Sequence, residues 1–236
     1  RIGVETEFNK DYLYNKLKGE KYHNKLEVLY NWPSLNDSKK NAPRSTLYLE
    51  FIDYINSAKH KKKLQGVYVG NRSIAHDYNS AFEFLQKTDL KIDLQIFGET
   101  LRNKNISNFL NEISWGYVSE KEISHILDKV DFGLVTLNKN LNTQNIPGKF
   151  VTYVQCSLPI ICFAKNTSSL SKLINKYDCG LAIDLSNKVE YNIELLNNFI
   201  TKLQTREKYL KLNARNLYLD YFNTKNVTKK IINKKI

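Results

Sequence analysis

Lys149 directly follows Ile146-Pro147-Gly148, a tripeptide that can only bend, and it opens an apolar helical pattern carried by Phe150, Val151 and Val154. A helix start offers free backbone N–H groups and the positive end of the helix dipole, and an ammonium there adds to the same field. The chemistry this suits is the binding of a phosphate-bearing ligand. Thr152 lies one turn on and can offer a hydroxyl to the same pocket, while Tyr153 fits either the core or the pocket wall. Three other spots have residue types suited to ligand contact. Gly70-Asn71-Arg72 follows a strand-like run and suits a phosphate approached by backbone and guanidinium together, or else is a turn with a solvent arginine. Gly98-Glu99 follows another such run and puts a carboxylate where a ribose or sugar hydroxyl could meet it, or is a plain loop charge. In Trp115-Gly116-Tyr117-Val118 the glycine admits a ligand to the backbone, and Tyr117 either packs on a planar base or belongs to the core.

Several chemistries find no support. There is no GxGxxG and no P-loop, so neither a dinucleotide fold nor an NTPase is indicated. No Ser–His–Asp set, GxSxG or paired loop carboxylates can be assembled, and no catalytic residue is assigned. The four histidines are far apart and show no metal-ligand spacing. His76-Asp77 reads as a helix start, with Asp77 accepting from first-turn N–H groups.

The elements that must position these residues alternate. Ile2 to Phe8 and Leu26 to Tyr30 are strand-like, with a short helical stripe of Tyr12, Leu13 and Leu17 between them. Residues 34 to 46 are polar and turn-rich and read as a linker. Leu47 to Ser57 is expected to be helical, with Leu47, Phe51, Tyr54 and Ile55 on one face. Strands are then expected at 66–70, 92–97, 113–118, 132–137, 160–164 and 180–185. Between them lie helical stripes such as Tyr78, Ala81, Phe82 and Leu85, a capping box of Ser119 and Glu122, and Leu170, Leu173, Ile174 and Tyr177 stopping near Gly180. Such alternation implies βαβ units and a parallel sheet, with ligands at the strand C-termini. The expected organisation is 1–46 as the end of a preceding domain and a linker, 47–186 as an α/β Rossmann-like domain with helices on both faces, and 187–236 as terminal helices.

Composition narrows the setting. With 42% hydrophobic and 25% charged residues in 236, the balance is that of a globular protein. No apolar run approaches the roughly 18 residues of a membrane span. The chain opens on Arg1 and lacks methionine, as expected of an internal piece of a longer protein. Three cysteines without a CxxC pair fit a reduced, cytoplasmic setting. The net charge of +12 suits phosphorylated ligands, an anionic membrane surface or nucleic acid, but the lysine runs lack the interleaved aromatics of a single-strand platform, and no nucleic acid is expected.

In their order, these pieces resemble the C-terminal, donor-binding domain of GT-B glycosyltransferases of the family 4 type, over about residues 60 to 185. The matching segments are Val67-Tyr68-Val69-Gly70-Asn71-Arg72, Leu94 to Gly98, Gly116-Tyr117-Val118 and Asp131-Phe132-Gly133-Leu134. Pro147 to Tyr153, Ser157 to Ile161 and Gly180-Leu181 continue the match, and Val28 to Trp32 resembles the ending of the N-terminal domain. The resemblance implies a hexosyltransferase-type enzyme, retaining, that moves a sugar from a nucleotide-diphosphate donor to a lipid-linked or saccharide acceptor in bacterial capsule or O-antigen synthesis. It would work at the cytoplasmic face of the inner membrane, with the nucleotide sugar as substrate and no metal or other cofactor, and this piece alone would be inactive. It implies diphosphate contacts from Gly70, Asn71, Arg72 and Lys149, nucleotide or ribose contacts from Gly98, Glu99, Tyr117, Val118 and Thr152, and donor-sugar contacts from Gln144, Asn145, Pro147 and Gly148. The family's two carboxylates, seven residues apart, fall on Gln144 and Thr152; their absence implies other hydroxyl and amide partners, an unusual donor or lost activity. The alternatives are a nucleotide-sugar epimerase of the same fold and a non-catalytic basic module for nucleic acid or anionic membrane.

Overall fold

A computed structural model describes residues 2–4, 7–16, 26–28, 45–60, 63–72, 76–98, 103–105, 110–138 and 145–225. Its centre is a seven-stranded sheet made of β3 (Leu64–Val69), β4 (Ile92–Phe97), β5 (Asn103–Asn105), β6 (Leu110–Gly116), β7 (Phe132–Thr136), β8 (Ile160–Phe163) and β9 (Gly180–Ile183). The spatial order is β5-β6-β4-β3-β7-β8-β9. Six strands run parallel, and the short edge strand β5 pairs antiparallel with β6. Two further strands, β1 (Ile2–Val4) and β2 (Leu26–Val28), form a separate parallel pair around α1 (Glu7–Lys16).

Helices cover both faces, so the central strands are buried on both sides and read as near-continuous apolar runs. One face carries α2 (Thr46–His60), α4 (Glu120–Leu127), α5 (Gly148–Gln155) and α6 (Ser169–Tyr177), and Phe51, Ile126, Phe150 and Ile174 pack there with Val135 and Cys162. The other carries α3 (Tyr78–Gln86) and α7 (Val189–Thr205), where Phe84, Leu196 and Phe199 meet Leu134, Ile161 and Phe163. Alternate residues of β8 therefore serve opposite cores, as the two-residue strand period requires. After α7 the chain turns into α8 (Glu207–Leu217) and a π-helical turn, Tyr218–Phe222, which packs back on the face of α5.

Every expected parallel strand is present, β4 with the expected ends and the others with shifted ones. The strand expected over Ile2 to Phe8 stops at Val4, because Glu7 and Phe8 already belong to α1. β6 starts three residues before Ile113, at Leu110, and β5 was not foreseen: Asn-Lys-Asn has no strand propensity and is held by pairing with β6. Thr46, placed with the linker, opens α2, whose buried stripe is Tyr48, Phe51, Ile55 and Ala58. The Ser119–Glu122 capping box is formed. α6 stops near Gly180 as expected, ending on Asp178 in the left-handed conformation, and Gly180 itself begins β9. Asp77 does not cap α3. It adopts a left-handed backbone, makes no side-chain cap bond, and accepts from the Ser80 hydroxyl at 2.8 Å.

Candidate functional site

The chain runs from β3 outward to β4 and β6, then returns through α4 to β7 on the opposite side of β3. Strand order reverses at β3–β7, and the first crossover helices on either side, α3 and α5, lie on opposite faces. In open α/β sheets the ligand crevice lies there, outside the strand carboxyl ends. β3 and β7 pair only at Gly66–Phe132 and Val67–Gly133, then separate. The Val69 N–H, which would lack a partner in the widening gap, donates to the Tyr153 hydroxyl at 2.8 Å. Tyr153 is fully buried, and its ring lies against Gly133, where a Cβ would come within 2.4 Å of it. Of the two readings of Tyr153 the core reading therefore holds: it is a wedge at the base of the crevice.

The crevice floor is backbone. β3, β4 and β6 each exit through a glycine with positive φ: Gly70 at 107°, Gly98 at 106° and Gly116 at 90°. Side chains are strained in that region, so three neighbouring strand ends are bare. They nest closely: Gly70 N–H donates to Phe97 O at 2.7 Å, Gly98 N–H to Gly116 O at 2.9 Å, and a Cβ on Gly98 would lie 3.0 Å from the Gly70 backbone. A bulge at Trp115 turns the end of β6 so that Gly116 pairs with Phe97.

Lys149 reaches over this floor from the first turn of α5. Its Nζ is 3.6 Å from the Tyr68 ring centroid and 3.8 Å from where a Gly70 Cβ would be. The Nζ is buried and has no hydrogen-bond partner among the described residues. Burial pushes the Lys149 pKa down to about 7. A buried cation without a hydrogen-bond acceptor is costly unless something else is meant to face it. Tyr68, which contributes its ring, also ties down the adjacent loop by donating to Asn71 O at 3.1 Å. Opposite, at the end of β7, Thr136 O accepts from His76 Nδ1 at 3.2 Å, and Thr136 Oγ1 is buried without a partner among the described residues.

The structure thus brings Gly70, Gly98 and Lys149 together. Gly148 is exposed, with nothing within 4 Å of where its Cβ would be, and its neighbours Asn145 and Pro147 are exposed and half-buried. Thr152 and Val118 are half-buried, and Tyr117 is 64% exposed beside Gly116, which favours its contact reading over its core reading. Arg72 is turned to another partner: its guanidinium bonds Glu112 at 2.7 Å and lies 4.4 Å from the Tyr78 ring centroid, and the Tyr78 hydroxyl also donates to Glu112. Glu99 and Gln144 lie outside the described residues. The sequence marks His76 only as part of a helix start; its neighbour across the crevice, Thr136, comes from a strand sixty residues on, and no local pattern signals that meeting. Among the described residues no cluster of His, Cys, Asp or Glu could hold a metal ion, and no helix is long and apolar enough to cross a membrane.

Residues 67–229 match the family model of the glucosyltransferase 3-like C-terminal domain. No curated protein matches the sequence. Among solved structures, the fold is similar to WaaG, a glycosyltransferase involved in lipopolysaccharide biosynthesis, at TM-score 0.64 and 15% identity, over 99% of this chain and 62% of that one. A glycosyltransferase from Rickettsia africae gives TM-score 0.67 at 13% identity, again over 99% and 62%. HepE from Anabaena in complex with UDP-glucose gives 0.62 at 11% identity, over 98% and 62%. The chain thus spans about three fifths of the length of these structures, and at such identities the likeness is one of fold: an α/β Rossmann-like domain of the GT-B type.

Proposed function

The chain belongs to the glucosyltransferase 3-like C-terminal domain family, and from that premise we propose that it is the donor-binding part of a GT-B glycosyltransferase, holding a nucleoside-diphosphate sugar in the β3–β7 crevice. The observation that carries this reading is the Lys149 ammonium, buried above the bare Gly70 and Gly98 backbone without a hydrogen-bond acceptor among the described residues. A diphosphate supplies the missing acceptors. The first-turn N–H groups of α5 and its dipole point the same way. As the sugar–phosphate bond breaks, negative charge grows on the leaving diphosphate, and a cation already fixed there stabilises that charge without reorganising. This is how the site would work without a metal. The base would rest beside Gly116 and Tyr117, and the sugar would face the open space above Gly148. The family description and the UDP-glucose bound by HepE favour a UDP-linked glucose donor. The acceptor, saccharide or lipid-linked, would enter from the part of the enzyme that precedes this domain, and retention of anomeric configuration and a role in surface-polysaccharide assembly belong to the same reading. A basic module for nucleic acid or membrane would display its cations on an open face; the Lys149 Nζ is enclosed.

Calorimetric titration with UDP, GDP and the free nucleosides tests this. Binding is expected to require the diphosphate and to favour UDP. Lys149→Ala should weaken it by about 1.5–3 kcal/mol, the scale of a charge-assisted hydrogen bond. Equal binding by wild type and Lys149→Ala, or none by either, would remove the proposed site.

A further inference from the structure

Two titratable groups meet in this crevice. Lys149 comes from α5 and lies over Gly70 at the end of β3, while His76 comes from the segment before α3 and is bonded to Thr136 O at the end of the neighbouring strand β7. The His76 Nδ1 lies against Thr136 O, a pure acceptor, so Nδ1 carries a hydrogen and Nε2 is the nitrogen left for a ligand. Neither Lys149 Nζ nor His76 Nε2 has a hydrogen-bond partner among the described residues. Among the described groups around them, Tyr68 on β3 offers a ring face, the Tyr153 hydroxyl is taken by Val69, Arg72 is paired with Glu112, and Asp77, the carboxylate next to His76 in the chain, accepts from the Ser80 hydroxyl.

Resting on the donor-binding reading above, we propose that His76 is a further diphosphate-binding residue, and that it and Lys149 form a proton-linked pair that takes up a proton as the diphosphate enters. In the empty crevice, two cations at neighbouring strand ends repel, and the buried Lys149 ammonium is poorly solvated. The free site therefore sheds charge: burial lowers the Lys149 pKa to about 7, and burial followed by the Lys149 charge holds His76 below its ordinary value. An entering diphosphate reverses this and favours both charged forms. The protons belong to the pair, not to either residue alone. The sign follows. Above about pH 7 the empty site lacks protons that the filled site holds, so donor binding weakens as pH rises. Well below that, both groups are charged in either state and the dependence flattens.

The test is calorimetry of the 236-residue chain with UDP at about pH 8, in two buffers of different ionisation heat. The terminal phosphate of UDP titrates near pH 6 and stays out of the way. The expected result is net uptake approaching one proton, with affinity falling up to roughly tenfold per pH unit above neutrality. Lys149→Arg, whose side chain stays charged, should bind UDP with most of that dependence gone. His76→Gln should weaken UDP binding several-fold and reduce proton uptake near pH 7. Normal UDP binding with no buffer-dependent heat, or uptake and affinity unchanged in His76→Gln, would overturn the pair while leaving the donor site standing. No UDP binding at any pH would overturn both.

Discussion

At the scale of single residues, the crevice holds a side chain that stability alone would not choose. An exposed lysine titrates at 10.5 and Lys149 near 7, so the folded state resists the charged form. The sign of the linkage is fixed by that direction. Below about pH 7 both folded and unfolded chains carry the charge and the folded state bears the full burial cost. As pH rises from about 7 towards 10.5 the folded chain has lost the proton, and the cost disappears. Lys149→Met keeps the length and apolar body of the side chain without the charge. It should raise stability by about 1–3 kcal/mol below neutrality, after subtracting the cation–π contact with Tyr68, and by little near pH 10. Denaturant unfolding at both pH values checks this; destabilisation at both would mean the ammonium is satisfied where it is. Lys149 was legible in the sequence because bend, lysine and apolar stripe are consecutive. Arg72 was legible only as a residue type: its pairing with Glu112 arises because β6 lies beyond β4 in the sheet, which no local pattern encodes.

At the scale of elements, the alternation of apolar runs and helical stripes was enough to read six parallel strands, because strands buried on both faces leave unmistakable runs such as Ile160 to Phe163. Strand ends were less legible, since they depend on neighbours: β5 exists only through β6, and β6 begins where β4 offers it a partner at Ile92. Glycines at strand exits were visible, but not that three of them would nest. That nesting separates otherwise similar substitutions. Gly98→Ala forces a side chain into positive φ and drives a methyl to 3.0 Å from the Gly70 backbone, so it should cost about 2–4 kcal/mol. Gly148→Ala enters open space in the first turn of a helix and should be neutral or stabilising by up to about 1 kcal/mol. Its methyl nevertheless occupies the room assigned to the donor sugar, so UDP-glucose binding should fall while UDP binding holds. Thermal unfolding with both ligands separates these effects, and equal losses for the two nucleotides would move the sugar elsewhere.

At the scale of the whole molecule, the last described helices brace the first turn of the site from behind. Phe222, fully buried, meets Phe150 edge-on with ring centroids 6.0 Å apart, one residue beyond Lys149. Arg215 of α8 donates to Gln155 O at 2.7 Å, tying down the other end of α5. These residues are some sixty to seventy positions from α5 in sequence, so their role was invisible before the chain was folded. They make the position of Lys149 depend on segments that touch no ligand. Phe222→Ala should leave a cavity beside Phe150 and cost about 3–5 kcal/mol. If α5 is seated by that contact, the variant should also bind UDP several-fold more weakly at a temperature where it is still folded, because a shifted helix start moves the ammonium off the diphosphate. Unfolding and titration of the same sample decide it. Lost stability with unchanged UDP affinity would mean that Tyr153, wedged between β3 and β7, seats α5 by itself, and that the terminal helices contribute to stability without positioning the site.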